Sequence, residues 1–183
     1  VKFARFPHIC KGKIAFSYHG DIWVANDDGS NVRRLTDNVA NEVNPRFSPD
    51  GRWIAFTSDR TGNNDVYIVP VEGGEPTQLT FMTVNDNVQY WTPDGERVLF
   101  STDRGDFVWG SPFYSVSKNG GLPVPMAMYQ ASFGMMSQDG KMVAFNRNSA
   151  RYGRKHYKGN SSADLFVQNL ATKEIVQLTD TDP

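Results

Sequence analysis

The stretch that decides the fold is residues 48–56, Ser-Pro-Asp-Gly-Arg-Trp-Ile-Ala-Phe, because the chain repeats it. Related phrases occur at 92–100, Thr-Pro-Asp-Gly-Glu-Arg-Val-Leu-Phe, and at 137–145, Ser-Gln-Asp-Gly-Lys-Met-Val-Ala-Phe. Their Asp-Gly pairs are 44 and 45 residues apart, and a degenerate copy at 11–16, Lys-Gly-Lys-Ile-Ala-Phe, lies about one period upstream. A period of this length, made of short strands and turns, predicts a β-propeller.

Each repeat divides into four short strands, which we label A to D. In the second repeat, strand A is at 44–47, strand B at 53–57, strand C at 65–69 and strand D at 77–80. The Asp-Gly pair between strands A and B predicts a tight hairpin, because both residues tolerate positive φ. Strand B is apolar on both faces, as expected for a sheet that packs between two neighbouring sheets.

The chain is therefore predicted to be all-β, a single β-propeller portion made of four four-stranded blades. The approximate blade limits are 1–38, 39–82, 83–127 and 128–183. The first repeat begins at its strand A and the last ends at its strand D, whereas many closed propellers divide one blade between the two termini. We therefore expect an arc of a larger propeller. A self-closed ring of four blades and an oligomer that completes the ring are the alternatives.

An open arc leaves the apolar faces of its two terminal blades without neighbours, which favours association between exposed surfaces. We therefore expect the isolated chain to form a homo-oligomer through its terminal blades, or to bind a hydrophobic dye there. A monomer that binds no dye would contradict the open arc.

Composition limits the classes of function. The 183 residues carry a formal net charge of −1, with 39% hydrophobic and 21% charged residues, which is ordinary for a soluble globular domain. The balanced charge argues against nucleic acid as a partner, and no apolar run is long enough for a membrane span. The single cysteine, Cys10, excludes an intramolecular disulfide and is expected to be a buried strand residue. The compartment stays open between periplasmic or secreted, after removal of a signal peptide, and cytoplasmic.

The sequence offers no catalytic constellation. It contains no Gly-x-Ser-x-Gly elbow, and its three histidines, His8, His19 and His156, lie in different repeats without evident Ser and Asp partners. No His-x-x-x-His or Cys-x-x-Cys spacing indicates a metal. Residues 59–65 are rich in Asp and Asn but lack the alternate acidic ligands of a calcium loop, so we interpret them as turn residues. We expect no catalytic residue, no metal and no cofactor in this chain.

A basic stretch between Asp139 and Asp164 is the most distinctive candidate surface. It contains six Lys and Arg residues and no Asp or Glu, with tyrosines and a histidine interleaved. Such a mixture can clamp an anionic group or anchor a peptide carboxylate. We therefore take Arg154, His156 and Lys158 as candidates for contact with a peptide or partner. The alternative is a solvated loop that braces a neighbouring blade or subunit.

One family resemblance covers nearly the whole chain. The stretch at 47–56, followed by Ser-Asp-Arg at 58–60, Asp-Val-Tyr at 65–67 and Gln-Leu-Thr at 78–80, closely resembles the WD40-like repeat of TolB-type propellers. This repeat builds the propellers of the periplasmic protein TolB, of tricorn-type proteases and of some prolyl-oligopeptidase relatives. The resemblance is specific for the fold and weakly specific for function.

Two segments are similar to tricorn-type proteases in particular. The long connection between strands B and C of blade four, 146–164, resembles the insertion in the fourth N-terminal blade of that family, and residues 5–23 resemble the start of its first propeller. The resemblance implies the N-terminal part of a six-bladed propeller. In the full-length family this propeller accompanies a second propeller, a PDZ-like domain and a serine-peptidase core that holds the catalytic residues.

The resemblance thus implies a non-catalytic portion of a tricorn-like serine peptidase, which gates or docks peptide substrates for a peptidase core outside this chain. The alternative is a TolB-like protein–protein interaction propeller of the bacterial envelope. A TolB-like protein is expected to carry a small α/β domain before its propeller, and the present sequence has none. A tricorn-like protein is expected to continue after Pro183 into more propeller and a peptidase.

Overall fold

The fold is all-β, which confirms the predicted propeller blades. The computed structural model describes residues 3–104, 111–126, 131, 133–146 and 164–179. In these segments sixteen strands form four separate four-stranded antiparallel sheets, and there is no helix. Each sheet is a meander in which strands that follow one another in the chain are also neighbours in the sheet.

The four blades follow one another along the chain. Blade one comprises β1 (Arg5–Cys10), β2 (Lys13–Tyr18), β3 (Asp21–Asn26) and β4 (Arg33–Arg34). Blade two comprises β5 (Glu42–Phe47), β6 (Trp53–Ser58), β7 (Asp65–Pro70) and β8 (Thr77–Gln78). Blade three comprises β9 (Asp86–Trp91), β10 (Arg97–Thr102), β11 (Phe113–Ser117) and β12 (Val124–Pro125). Blade four comprises β13 (Phe133–Met136), β14 (Met142–Asn146), β15 (Leu165–Asn169) and β16 (Ile175–Gln177).

The first strands of the four blades lie together and form the inner edge. Strand β1 contacts β5, β5 contacts β9, and β9 contacts β13. The short fourth strands lie at the opposite side of each sheet. The blades therefore follow one another around a common inner edge and form an open arc.

Neighbouring blades pack their apolar faces against each other. We call the side of a blade that contacts the next blade its forward face. Ala15, Ile22 and Leu35 on the forward face of blade one share a buried cluster with Phe56 and Tyr67 of blade two. The buried aromatic residues of the second junction are Trp91 and Phe100 of blade three, and those of the third are Phe113 of blade three with Phe145 and Phe166 of blade four. This burial is the main stabilising term, because each buried side chain of this size contributes about 1.5 to 3 kcal/mol.

The forward face of blade four is uncovered in the described structure. Leu165 is 50% exposed, although the residues at the same register position of the other blades, Ile22, Val66 and Phe113, are at most 1% exposed. Leu178 is 60% exposed, whereas its counterpart in blade two, Leu79, is 1% exposed. The repeat thus provides an apolar surface at this position in every blade, and only the last blade leaves it open.

The predicted tight hairpins between strands A and B depend on the aspartate side chain. Asp50 Oδ1 accepts a hydrogen bond from Ser48 Oγ at 2.5 Å and another from the backbone N–H of Arg52 at 3.0 Å. Ser48 Oγ also accepts the N–H of Trp53 at 3.0 Å. The same bonds recur in the turns that contain Asp94 and Asp139.

Within these turns the glycine takes positive φ and the aspartate does not. Gly51 has a φ of 73°, and Asp50 accepts hydrogen bonds that lower the pKa of its carboxyl group. Two consecutive residues with positive φ occur instead in blade one, at Lys11-Gly12 and at His19-Gly20. The side chain of Asp therefore explains the Asp-Gly signal better than its tolerance of positive φ.

We predict a clear difference in stability between two leucines that occupy equivalent positions. Leu79→Ala removes a buried side chain and is expected to lower the free energy of unfolding by about 2 to 5 kcal/mol. Leu178→Ala acts at an exposed position and is expected to change it by about 0.5 kcal/mol or less. Urea unfolding of both variants, at several protein concentrations, measures the difference. Equal losses would contradict an uncovered forward face on blade four.

Candidate functional site

The two ends of the blades carry different connections. The turns that join strands A to B and strands C to D lie at one end, and the connections from B to C and from each blade to the next lie at the other, which we call the upper face. The predicted site residues Arg154, His156 and Lys158 lie outside the described residues. Strands β14 and β15, which their segment connects, end and begin at the upper face.

Three inner-strand residues form a cluster, which we call the inner cluster: His8, Arg46 and Tyr90. They take equivalent register positions in blades one, two and three, paired with Ala15, Ala55 and Leu99. The His8 and Tyr90 ring centroids are 6.2 Å apart, and Arg46 Cζ lies 5.2 Å from the Tyr90 centroid. Because inner strands converge, the same position of successive blades is brought together.

Side chains of the inner cluster also form hydrogen bonds with backbone groups of the neighbouring inner strand. His8 Nδ1 accepts the N–H of Phe47 at 3.1 Å, and Arg46 Nε donates to the carbonyl of Gln89 at 3.0 Å. A sheet edge exposes unpaired backbone groups that are otherwise open to pairing with other chains. These side chains satisfy such groups and tie one inner strand to the next.

Burial and the neighbouring Arg46 cation lower the pKa of His8 to about 4. A neutral ring agrees with the geometry, because Nδ1 can accept the N–H of Phe47 only while it is unprotonated. The inner cluster is therefore held with a single positive charge, on Arg46, near neutral pH.

Buried carboxylates lie at the upper face at the starts of blades two and three. Glu42 begins the inner strand of blade two and is fully buried. It accepts hydrogen bonds from Thr36, in the last strand segment of blade one, and from Arg60, which follows strand β6. Arg60 Cζ lies 4.6 Å from the centroid of the Tyr67 ring. Burial raises the pKa of Glu42, and the bonds from Thr36 and Arg60 oppose that rise.

Blade three repeats this ion pair. Arg104 Nη2 lies 2.6 Å from Asp86 Oδ2, and Arg104 Cζ lies 5.1 Å from the centroid of the Tyr114 ring. Asp86 is fully buried, and burial raises its pKa. The sequence signal is a Ser/Thr-Asp-Arg segment after strand B, at 58–60 and 102–104, together with an acidic residue at the start of strand A.

A second carboxylate links strands C and D within a blade. In blade two, Thr80 Oγ1 donates to Asp65 Oδ1 at 3.0 Å, and in blade four Thr179 Oγ1 donates to Asp164 Oδ1 at 3.2 Å. In blade two, Asp65 pairs with Ser58. At the equivalent position of blade three, Pro112 pairs with Thr102. The sequence of blade three therefore lacks the acid for this link.

The histidines and the cysteine do not come together at one site in the described structure. Of the three histidines, His8 belongs to the inner cluster, His19 lies in an exposed turn and His156 lies outside the described residues. Cys10 is half-buried on β1, and its Sγ is 3.8 Å from the carbonyl oxygen of Ser48. Within the described ranges, no group of three or more His, Cys, Asp or Glu side chains could hold a metal ion.

A search of the described residues for a helix long and apolar enough to cross a membrane finds none.

Comparison with known proteins defines the class. The tricorn protease crystal structure superposes with a TM-score of 0.79 at 24% identity, covering 97% of this chain and 18% of that one. Tricorn protease homolog 2 of Streptomyces coelicolor is 44% identical over 62 residues, which are 33% of this chain and 5% of that protein. The Tol-Pal system protein TolB of Desulfosudis oleivorans is 40% identical over 63 residues, covering 32% of this chain and 14% of TolB. The chain thus matches a small part of the length of these relatives.

The fold and its inner edge define a portion of a β-propeller of the kind that tricorn proteases and TolB share. The sequence matches the tricorn protease N-terminal beta propeller domain over residues 1–183. The chain belongs to that family, which confirms the resemblance predicted from the repeats.

We predict that His8 makes the stability of the chain fall in mild acid. Its pKa is about 4 when folded and 6.5 in the unfolded chain, so between these values the unfolded chain binds the proton more tightly. The free energy of unfolding should therefore fall, relative to that of His8→Gln, as the pH decreases from about 6.5 to about 4. Urea titrations of both proteins across this range measure the difference. Parallel pH profiles would contradict the neutral, capping role of His8.

We also predict that two arginines contribute very differently to stability. Arg60→Ala leaves the buried carboxylate of Glu42 without its cation and is expected to cost about 3 to 5 kcal/mol. Arg52 pairs with Asp50 at the surface, so Arg52→Ala is the control and is expected to cost about 1 kcal/mol or less. Chemical unfolding of both variants compares them. A small loss for Arg60→Ala would contradict the importance of the buried pair.

Proposed function

We propose that this chain is a non-catalytic propeller portion that gates or docks peptide substrates for the peptidase core of a tricorn-like serine peptidase. The observation that carries the proposal is the family match over the whole chain. The core itself is expected outside this sequence, and the relatives it matches are much longer. The chain would act by binding and by sieving.

The architecture supports a gating role in physical terms. The inner edge is fixed by the His8 and Arg46 hydrogen bonds between blades, and the buried pairs of Glu42 and Asp86 fix the upper face. A wall of this kind keeps its width, so it can admit an extended peptide and exclude a folded domain. The basic segment with Arg154, His156 and Lys158 would attract and hold anionic groups of such a peptide.

The alternative is a TolB-like interaction propeller, which docks a folded envelope protein. The match to TolB over 63 residues supports it. This alternative requires no affinity for extended peptides, so peptide binding separates the two functions.

The test is binding of a fluorescein-labelled, unstructured, glutamate-rich peptide to the chain, followed by fluorescence anisotropy. We expect saturable binding by the unmodified chain. The combined variant Arg154→Gln, His156→Gln and Lys158→Gln should bind the peptide at least about tenfold more weakly, because charge-assisted contacts are lost. The difference in affinity between the unmodified chain and the combined variant should be smaller at high salt, because salt screens the exposed charge contacts in both proteins.

The matched control neutralises Lys11, Lys13 and Lys118, which lie at the turns opposite the upper face. This variant should bind the peptide like the unmodified chain. If both variants lose affinity equally, the attraction is general and the basic segment is not the docking element. If the unmodified chain binds no extended peptide at all, the gating proposal fails and the TolB-like alternative is favoured.

A further inference from the structure

A cleft of about 410 Å³ opens at the upper face between blades one and two. None of its lining residues belongs to the inner cluster. Its walls come from the start of β1, the turn between β2 and β3, and the start of β5. The lining residues are Phe3, Arg5, Phe6, Ser17, Tyr18, His19, Gly20, Asn41, Glu42 and Val43.

A buried hydroxyl without a partner lines this cleft. Ser17 is 6% exposed, and its Oγ makes no hydrogen bond with the described residues. The equivalent side chains in the other blades are bonded: Thr57 Oγ1 accepts from the N–H of Val88, Ser101 Oγ accepts from Gln89, and Asn146 Oδ1 accepts from the N–H of Phe133. A buried polar group usually has a partner, so Ser17 Oγ is an unsatisfied hydroxyl in the wall of the cleft.

A strained aromatic residue forms another wall. Phe6 has a φ of 54°, a left-handed conformation that bulky residues rarely adopt, and it precedes Pro7. Asn44 occupies the matching place in blade two, before Pro45, with a φ of 56°. Asn adopts this conformation at lower energetic cost than Phe. Backbone strain of this kind concentrates at ligand clamps, so a phenylalanine here suggests a use for its exposed ring.

The charge of the cleft is cationic. Arg5 forms no ion pair with any described residue, whereas the Glu42 carboxylate is already held by Thr36 and Arg60. Tyr18 is fixed edge-on between His19, with ring centroids 4.3 Å apart, and Trp23, at 5.8 Å. Among the described residues, the cleft thus combines a cation without an ion-pair partner, a hydroxyl without a hydrogen bond, and three aromatic side chains, of which Tyr18 has ring contacts.

We propose that this cleft binds a peptide segment that carries a carboxylate beside a large apolar side chain. Arg5 receives the carboxylate, Ser17 Oγ bonds to the peptide backbone, and the rings of Phe3, Phe6 and Tyr18 cover the apolar side chain. The proposal rests on the peptide-docking function above and names the ligand class for one part of the surface. The cleft is proposed to bind this segment and not to catalyse a reaction on it.

The experiment measures the affinity of the whole chain for three blocked peptides of one scaffold by isothermal titration calorimetry. One contains Phe-Asp, one Phe-Asn and one Ala-Asp. We expect the Phe-Asp peptide to bind most tightly, with a loss of about tenfold for each replacement. Arg5→Gln should lower the affinity for the Phe-Asp peptide by about tenfold and leave the affinity for the Phe-Asn peptide unchanged, because only the carboxylate contact is lost.

Two further variants separate binding from folding. Phe6→Asn keeps the left-handed turn that Asn44 already adopts, so the chain should remain as stable while binding of the Phe-Asp peptide weakens. Ser17→Ala removes a hydroxyl with no bond in the free chain, so stability is retained and affinity falls about threefold. Lys13→Gln, at the opposite end of β2, is the charge control and should bind like the unmodified chain.

The outcomes distinguish this inference from the proposed function. If the chain binds the peptides but the Arg5, Phe6 and Ser17 variants bind them equally well, the cleft is not the site and the docking function stands. If the three peptides bind with equal affinity, the assigned ligand class is overturned. If the unmodified chain binds no extended peptide, including the glutamate-rich probe, the proposed function and the cleft assignment both fail.

Discussion

The packing of apolar faces against each other, repeated at every blade junction, is the constraint on which this structure depends. A single four-stranded sheet with both faces apolar cannot be stable in water, and blades two, three and four bury Phe56, Phe100 and Phe145 against the preceding blade. The blades are therefore stable only as a series. The same requirement fixes the convergence of the inner strands, since sheets that stack face to face must bring one edge to a common centre.

The repeat made most of the fold predictable. Residues 48–56 and their copies predicted the blade count and the hairpins, because the Asp-Gly turn and the apolar strand after it are local features. The manner in which Asp50 acts was not predicted. Its conformation is decided by hydrogen bonds from Ser48 and Arg52, which a preference for positive φ does not reveal. Local chemistry predicted that a turn exists, and side-chain bonding decided its geometry.

The site was less predictable, because its members meet only through the packing of blades. His8 and Tyr90 are far apart in the chain, and irregular register in β1 and β9 hides their equivalence from simple spacing. The pairs Glu42–Arg60 and Asp86–Arg104 do leave a sequence signal, since the acid and the Ser/Thr-Asp-Arg segment recur together. The sequence drew attention instead to Arg154 and its neighbours, where charge is concentrated along the chain, and they lie outside the described residues.

The described polar links at the upper face differ from blade to blade. A buried ion pair costs desolvation and contributes more to a unique arrangement than to net stability, which is how we interpret Glu42 and Asp86 at the entries to blades two and three. Blade three carries Pro112 where blades one, two and four carry Asp21, Asp65 and Asp164. In the described structure, blade three packs on blade four through the buried apolar cluster that contains Phe113 and Phe145. The Glu42–Arg60 pair thus fixes the upper face beside the cleft between blades one and two, where Glu42 is itself a lining residue.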